Sequence, residues 1–212
     1  MKALASLALL SVLVLPAFAR AQDSSTSKNS TGDKEAETYN EIERGLYLSV
    51  QGGPFFVVNP PADENTPRPF SAGQAAQVEV GFDIGERLSL GLFVQASTNS
   101  AGSEYVGKSG GAASGAFSML VPGATLRAHL VGFADSQDVK RTFIYARAGA
   151  GFVKFSPKLL LPDSDILVFA GPGVEYYTRL RHFSVGVEIT GSYLVSSGSI
   201  GFAVSPNLRY AF

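Results

Sequence analysis

The last stretch of the chain, residues 200–212, alternates strictly between two kinds of side chain. Its even positions are all apolar or aromatic, whereas its odd positions are small or polar. The even positions are Ile200, Phe202, Val204, Pro206, Leu208, Tyr210 and Phe212. A period of two places the two kinds of side chain on opposite faces of an extended chain. The stretch is therefore predicted to be a β-strand with two unlike faces.

Seven segments upstream show the same alternation and are predicted to be strands. They lie at 46–51, 76–82, 88–96, 124–130, 144–150, 166–177 and 183–193. Their second face is mostly Gly, Ser, Ala and Thr, whereas a soluble β-sandwich or lipocalin-like barrel would place many charged residues there in water. The pattern predicts an all-β fold, a small transmembrane antiparallel up-and-down β-barrel of about eight strands. Closure is expected because an open sheet edge would leave backbone groups unpaired in hydrocarbon.

The connections between these segments alternate in length. Long connections lie at 58–73, 97–113 and 155–165, and short ones at 83–86, 134–140 and 179–182. The last connection, 195–199, is also short and departs from the trend. Outer-membrane barrels have short periplasmic turns and longer external loops. This order predicts that both the N-terminus and the C-terminus of the barrel lie on the periplasmic side.

The chain begins with Lys2 and an apolar run that is followed by small residues at alternate positions, Ala19 and Ala21. This is the pattern of a secretory signal peptide, and the run is short for the alternative, a membrane-anchoring helix. Residues 22–44 are mostly polar and predict a disordered periplasmic leader, with a short helix over 34–44 as the alternative. The predicted organisation is a signal peptide at 1–21, a leader at 22–44 and an outer-membrane barrel at 45–212.

Composition and charge agree with this organisation and exclude several functions. Hydrophobic residues make up 45% and charged residues 17% of the 212 residues, with 23 Gly, 15 Phe and 8 Tyr. The formal net charge is −1, and losing Lys2 and Arg20 with the signal peptide would make it −3, so nucleic acid is not an expected partner. There is no cysteine, which excludes disulfides, thiolate metal sites, a cysteine nucleophile and a lipoprotein anchor.

Several charged residues fall on the inward face of the predicted barrel. They are Glu79, Arg127, Arg147, Glu175, Glu188 and Arg209. Eight strands enclose a space only wide enough for side chains, where an unpaired charge is costly. These carboxylates and guanidinium groups are therefore predicted to form a paired network that fills the lumen. A charged ion pathway is the alternative, and a wide aqueous pore is not expected.

Aromatic residues are predicted to form girdles at the two membrane interfaces. The predicted girdle residues are Tyr47, Phe82, Tyr176, Tyr177, Tyr193, Tyr210 and Phe212. The apolar patch at 159–162 is expected either to extend a strand above the membrane or to contact a partner.

Two short motifs suggest chemistry, and neither is predicted to form an active or metal site. His182 and Ser184 resemble the His-x-Ser of outer-membrane lipid A deacylases, in which His activates Ser. Here the pair lies at a predicted periplasmic turn, and Val185 stands where Asn usually follows. Asp163 and Asp165 supply too few ligands for calcium, which takes about six to eight oxygens, and are expected in a solvated turn. No catalytic residue, cofactor or metal site is predicted.

The order of parts resembles a known family. A signal peptide, a polar leader, the opening Glu43 to Leu48 and a Gly-rich barrel ending in Leu208 to Phe212 are similar to the small outer-membrane proteins of adventurous gliding motility in myxobacteria, the contact-dependent gliding protein of the E type. The resemblance implies a non-enzymatic Gram-negative cell-envelope component of the gliding machinery, which works with other envelope motility proteins and passes between cells in contact.

A second resemblance concerns the end of the chain. The last strand is similar to the C-terminal strand of bacterial outer-membrane barrels, which implies that Leu208, Tyr210 and Phe212 are the signal for the barrel-assembly machinery. Outer-membrane lipid is the other implied partner. Two further functions remain open at this point: a generic small barrel for envelope integrity or small-solute passage, and a lipid A deacylase-like enzyme.

Overall fold

The computed structural model describes residues 42–58, 70–101, 116–156, 164–180 and 182–212. The predicted signal peptide at 1–21, most of the predicted leader and the apolar patch at 159–162 lie outside these residues. Within the described ranges, no helix is long and apolar enough to cross a membrane.

Antiparallel strands make up the whole described fold. They are β1 (Leu46–Val58), β2 (Phe70–Ile84), β3 (Leu88–Ala101), β4 (Ala116–Ala134), β5 (Lys140–Ser156), β6 (Ser164–Tyr177), β7 (Phe183–Leu194) and β8 (Ser199–Ala211). Each strand pairs with the next, and β8 pairs with β1, so the barrel is closed. The predicted up-and-down barrel is confirmed. Several strands are longer than the alternating segments predicted from the sequence. For example, β2 begins at Phe70 and β3 continues to Ala101.

The register shows how strongly the strands are staggered. Leu46 pairs with Phe82 on β2, and following each successive partner around the barrel leads to Phe202 on β8. Phe202 pairs with Phe56, so one circuit moves from residue 46 to residue 56 of β1, a stagger of ten positions. Such a stagger requires strands that tilt by about 35–45° from the barrel axis.

We call the end of the barrel at which β1 begins and β8 ends the base. It contains Leu46, Ala211 and the short connections 85–87, 135–139 and 178–182. The opposite end, which we call the far end, carries the connections 59–69, 102–115, 157–163 and 195–198. The base is therefore the end where the predicted short turns lie.

Large apolar side chains cover the outside of the barrel. Representative outward residues are Leu48, Val80, Leu92, Leu126, Val174, Val187 and Leu208. Aromatic residues face outward near the base at Phe82, Phe133, Tyr176 and Phe212, and nearer the far end at Phe56, Phe152, Tyr193 and Phe202. An apolar surface of this extent is typical of contact with lipid. The prediction of an interfacial girdle is wrong for two residues. Tyr47 and Tyr177 are 0% and 4% exposed and point into the barrel.

The ladder between β1 and β8 is interrupted. Pairing stops at Gln51 with Asn207 and resumes at Phe55 with Ala203, and both Pro54 and Pro206 lie in this gap. Each of these prolines remains in register with its other neighbouring strand. Because proline has no N–H group, the seam between β1 and β8 lacks two ladder donors.

Candidate functional site: the lumen of the barrel

The lumen is divided into two zones of different chemistry. The zone nearest the base is lined by charged and hydrogen-bonding side chains, which are almost fully buried. The remaining zone, towards the far end, is a packed apolar core. Its members are Phe55, Val57, Phe93, Phe117, Met119, Val121, Val153, Phe155, Leu167, Phe169, Leu194 and Ala203. Both zones arise because alternate residues of every strand point inward.

Arg147 is the centre of the charged zone. One of its terminal nitrogens, Nη2, lies 2.6 Å from Oε2 of Glu79, and the other, Nη1, lies 2.7 Å from Oε1 of Glu188. These residues come from β5, β2 and β7, so the contacts cross the lumen. The planar guanidinium group is suited to bridging two carboxylates in this way.

Arg127 and Arg209 share a second carboxylate. Nη1 of Arg127 lies 3.1 Å from Oε2 of Glu175, and Nη1 of Arg209 lies 4.0 Å from Oε1 of the same residue. Arg209 also forms an ion pair with Asp83 and lies 3.7 Å from the ring centroid of Tyr47. All the charged residues that the sequence analysis placed in the lumen are thus buried there and linked by ion pairs.

Two further members of this network, Asp83 and His129, were not predicted from the sequence. Asp83 was placed in a turn, but it belongs to β2 and has the same inward parity as Glu79. The Ser89 hydroxyl donates a hydrogen bond to it at 2.6 Å. The alternation of β2 would have placed Asp83 in the lumen if the predicted strand had been extended from residue 82 to Ile84.

His129 lies between two acceptors. Its Nδ1 is 3.1 Å from the carbonyl oxygen of Glu86, and its Nε2 is 3.2 Å from Oε2 of Glu175. Because a carbonyl and a carboxylate oxygen only accept, both bonds form together only when the ring carries two protons. His129 thus connects the turn between β2 and β3 to Glu175 on β6.

Tyrosine and amide side chains add further hydrogen bonds to the charged zone. The Tyr47 hydroxyl donates to Oε1 of Glu79 at 2.7 Å, and the Tyr145 hydroxyl donates to Oε2 of Glu188 at 3.2 Å. The amide of Asn207 donates to the Tyr145 hydroxyl at 3.2 Å. Buried carboxylates therefore receive donors from several strands, as burial of a charge requires.

A small cavity separates the charged zone from the apolar core. It has a volume of about 20 Å³ and is lined on one side by Gln51, Gln77 and Gln95 and on the other by Phe55 and Phe169. A space of this size holds about one water molecule. On both sides of this cavity the inward side chains of the described residues are almost fully buried, as Arg147 and Val121 show.

His182 and Ser184 are not arranged as a catalytic pair. The Ser184 side chain is buried and donates to Oε1 of Glu175 at 2.5 Å. Nδ1 of His182 instead lies 2.8 Å from the carbonyl oxygen of Ala211 and 2.9 Å from Oε2 of Glu43. A nucleophilic serine needs a hydrogen bond to its base, and here the serine is bound to a carboxylate of the ion-pair network.

Asp165 corrects the expectation of a solvated turn, because it is buried at the far end of β6. Its carboxylate accepts hydrogen bonds from the backbone N–H groups of Ile166, Ser196 and Ser197, at 2.7, 2.7 and 2.9 Å. It thereby fixes the connection between β7 and β8. Asp163 lies outside the described residues. Among the residues that are described, no group of three or more His, Asp or Glu side chains could hold a metal ion.

The proposed assembly-signal residues lie at the rim of the base. Leu208 and Phe212 face outward, and Tyr210 packs at the rim against the rings of His182, Phe183 and Phe212 with centroid distances of 5.2, 4.9 and 5.0 Å. Their role in assembly stays a prediction.

Proteins of known structure share this fold. Neisserial surface protein A matches with a TM-score of 0.57 and 14% identity, over 79% of this chain and 97% of that chain. Two others match with lower TM-scores: the attachment invasion locus protein Ail of Yersinia pestis (0.44, 14% identity, 81% of this chain and 100% of that chain) and the outer membrane enzyme PagL (0.40, 12% identity, 79% and 99%). No protein-family model and no curated protein matches the chain. The first similarity shows the fold alone, that of small outer-membrane β-barrels.

Proposed function

We propose that this protein is a non-enzymatic integral component of the outer membrane, a closed barrel that acts as an anchor in the cell envelope. The observation that carries this proposal is the filled lumen. Arg147 and its partners occupy the half near the base, and the apolar core around Phe93 and Phe169 occupies the other half. A barrel filled in this way offers a rigid body in the membrane and no path for a solute.

The orientation of the barrel is part of the proposal. Short connections lie at the base, and in outer-membrane barrels short turns face the periplasm. Both termini would then lie in the periplasm, and the leader that precedes Leu46 would be available to periplasmic partners. The outward apolar surface supports a position within lipid.

Ion conductance tests the closed barrel directly. In planar bilayers the folded protein is expected to give no stable conductance steps, because apolar side chains fill the half of the lumen near the far end. An unrelated open porin, inserted under the same conditions, is the positive control. Reproducible steps from this protein would contradict the anchor and favour the rival function, small-solute passage.

The finer proposal is a role in adventurous gliding of single cells, and it rests on the resemblance of the sequence to gliding-motility proteins. Deletion of the gene in its own host is expected to stop single-cell gliding on a firm surface and to leave group movement intact. Contact with donor cells is expected to restore gliding, since the resemblance implies transfer between cells. Unchanged single-cell gliding would refute this role and leave a generic outer-membrane anchor.

The non-enzymatic part of the proposal is supported by the bonding of Ser184 to Glu175 rather than to His182. Lipid A isolated from cells that carry or lack the gene is expected to have the same acylation. A deacylation that disappears in both His182→Ala and Ser184→Ala variants would overturn this part and restore the enzyme hypothesis.

A further inference from the structure

The residues just before β1 lie against the base of the barrel. We call Glu43, Arg44 and Gly45 the strap. Gly45 has a φ of 136°, a conformation that L side chains rarely adopt, and it turns the chain at the start of the strand. Its carbonyl oxygen accepts a hydrogen bond from the N–H of Asp83 at 2.9 Å. The strap is thus directed by a glycine-dependent turn that is itself bonded to β2.

Arg44 reaches away from β1 to other parts of the base. Its Nη1 donates to the carbonyl oxygen of Glu86 at 3.0 Å, in the connection between β2 and β3. Its guanidinium carbon lies 5.4 Å from the ring centroid of Phe143 on β5 and 5.5 Å from that of Tyr177 on β6. Both distances are within the range of cation–π attraction.

Glu43 makes a third attachment. Its Oε2 lies 2.9 Å from Nδ1 of His182, in the connection between β6 and β7. The same imidazole nitrogen lies 2.8 Å from the carbonyl oxygen of Ala211, so the pair is held at the end of β8. Together, Glu43 and Arg44 contact the connections after β2 and β6, Phe143 on β5 and Tyr177 on β6, and His182 links Glu43 to the end of β8.

We infer that the strap is a mechanical clamp, which transfers a pull on the leader to several strands of the base at once. Without it, a force on the leader would act on the end of β1 and break the ladder bonds of that strand one after another. With it, the contacts of Arg44 with Glu86, Phe143 and Tyr177 must be broken first, and they share the load. The inference rests on the proposed anchoring function, because only an anchor is pulled from the periplasmic side.

Gating of the lumen explains the strap less well than mechanical attachment does. The apolar core already closes the half of the lumen near the far end, so a strap at the base is not needed to exclude solutes. Structural attachment of a load-bearing segment accounts for contacts that are distributed over the base.

Single-molecule pulling on the full chain in a lipid bilayer tests the clamp. With the handle on the leader, Arg44→Ala is expected to lower the force of the first rupture relative to the wild type. With the handle at Phe212, the same variant is expected to leave the rupture forces unchanged, because the contacts of Arg44 are with the connection after β2, with β5 and with β6 rather than with β8. Glu43→Gln, which removes one charge of the pair with His182, is expected to lower the leader-side force by a smaller amount.

Arg87→Ala is the matched control, since the Arg87 side chain is exposed beside the same connection and makes no hydrogen bond or ion pair to the described residues. An Arg44→Ala barrel that ruptures at the wild-type force from the leader side overturns the clamp. A loss of force from both ends also overturns it, because it indicates general weakening. The pulling test does not measure motility. The clamp can therefore be refuted while the gliding proposal holds, and the gliding proposal can be refuted while the clamp holds.

Discussion

Arg147 illustrates how much single buried residues matter in this lumen. Replacing it with Met would leave Glu79 and Glu188 as unpaired carboxylates in the barrel. Breaking a buried ion pair from one side destabilises a protein by about 3–5 kcal/mol. We expect Arg147→Met to lower the free energy of unfolding by about that amount, measured by urea unfolding in lipid vesicles with far-UV circular dichroism. The exposed Arg87→Met should be nearly neutral, and equal stabilities of the two variants would contradict the network.

Gly81 is a residue whose lack of a side chain is required. A Cβ built at this position would collide with the Tyr47 ring and with the backbone oxygen of Leu90. Gly81→Ala is expected to displace Tyr47 from Glu79 and to cost about 1–3 kcal/mol of stability. Gly191→Ala is the matched control, because the nearest atom to its Cβ, the Ala170 oxygen, is 3.9 Å away. Similar unfolding curves for the two variants would show that the barrel relaxes around Gly81 without loss.

Asp135 gives a pH-dependent prediction in the connection after β4. The backbone N–H of Gln137, at 2.8 Å, together with that of Val139 and with Arg141, holds the pKa of the Asp135 carboxyl below its ordinary value. A depressed folded-state pKa means that the contribution to stability is complete at neutral pH and is lost as the pH falls through the folded pKa. Carbon-13 titration by NMR should give a pKa below about 3.9, the ordinary value for Asp. An unshifted titration would contradict the bonded turn.

At the scale of the strand, alternation predicted most of the fold. It gave the number and order of the strands and the inward position of residues such as Glu79 and Arg147, because a period of two fixes which face a side chain occupies. It did not reveal the irregularity after His129, where Leu130 and Val131 are both outward, at 63% and 49% exposed. A β-bulge inserts one residue without changing the apolar character of its neighbours, so composition gives no sign of it.

Contacts across the lumen were not predictable from the strands taken separately. Arg147 on β5 meets Glu79 on β2, and this depends on the stagger accumulated over the intervening strands. Tyr47 and Tyr177 were misplaced in a girdle because tyrosine suits both an interface and a buried position, where the Tyr47 hydroxyl donates to Glu79 and the Tyr177 ring packs on Phe143. Tyr47 lies two positions from Ser49, and Tyr177 lies two positions from Glu175. The alternation of each strand therefore places both tyrosines on the inward face.

The interrupted ladder makes the seam between β1 and β8 more open to hydrogen exchange than a continuous ladder. Amides of β1 between Gln51 and Phe55, and those of β8 between Ala203 and Asn207, are expected to exchange hydrogen faster than amides of the continuous β2–β3 ladder. The reason is that Pro54 and Pro206 remove two donors from one seam. Hydrogen–deuterium exchange of the barrel in lipid nanodiscs measures this directly, and uniform protection around the barrel would contradict it.

For the whole molecule, the sequence predicted a filled lumen but not its division into two zones. The charged residues were recognised by their rarity on the inward face. The apolar inward residues, such as Phe93 and Phe155, could not be separated from outward ones by hydropathy, because both faces are apolar towards the far end. The resemblance to gliding-motility proteins likewise does not indicate which surface of the barrel would contact a partner.

The closed lumen has a consequence for the cell that carries this barrel. An open pore imposes a leak that grows with every copy, so its abundance must be limited. A barrel whose interior is packed with phenylalanine, valine and ion pairs, as proposed here for the anchor, would add no such leak. In the proposed anchoring role, the number of copies would then not be limited by the permeability of the membrane.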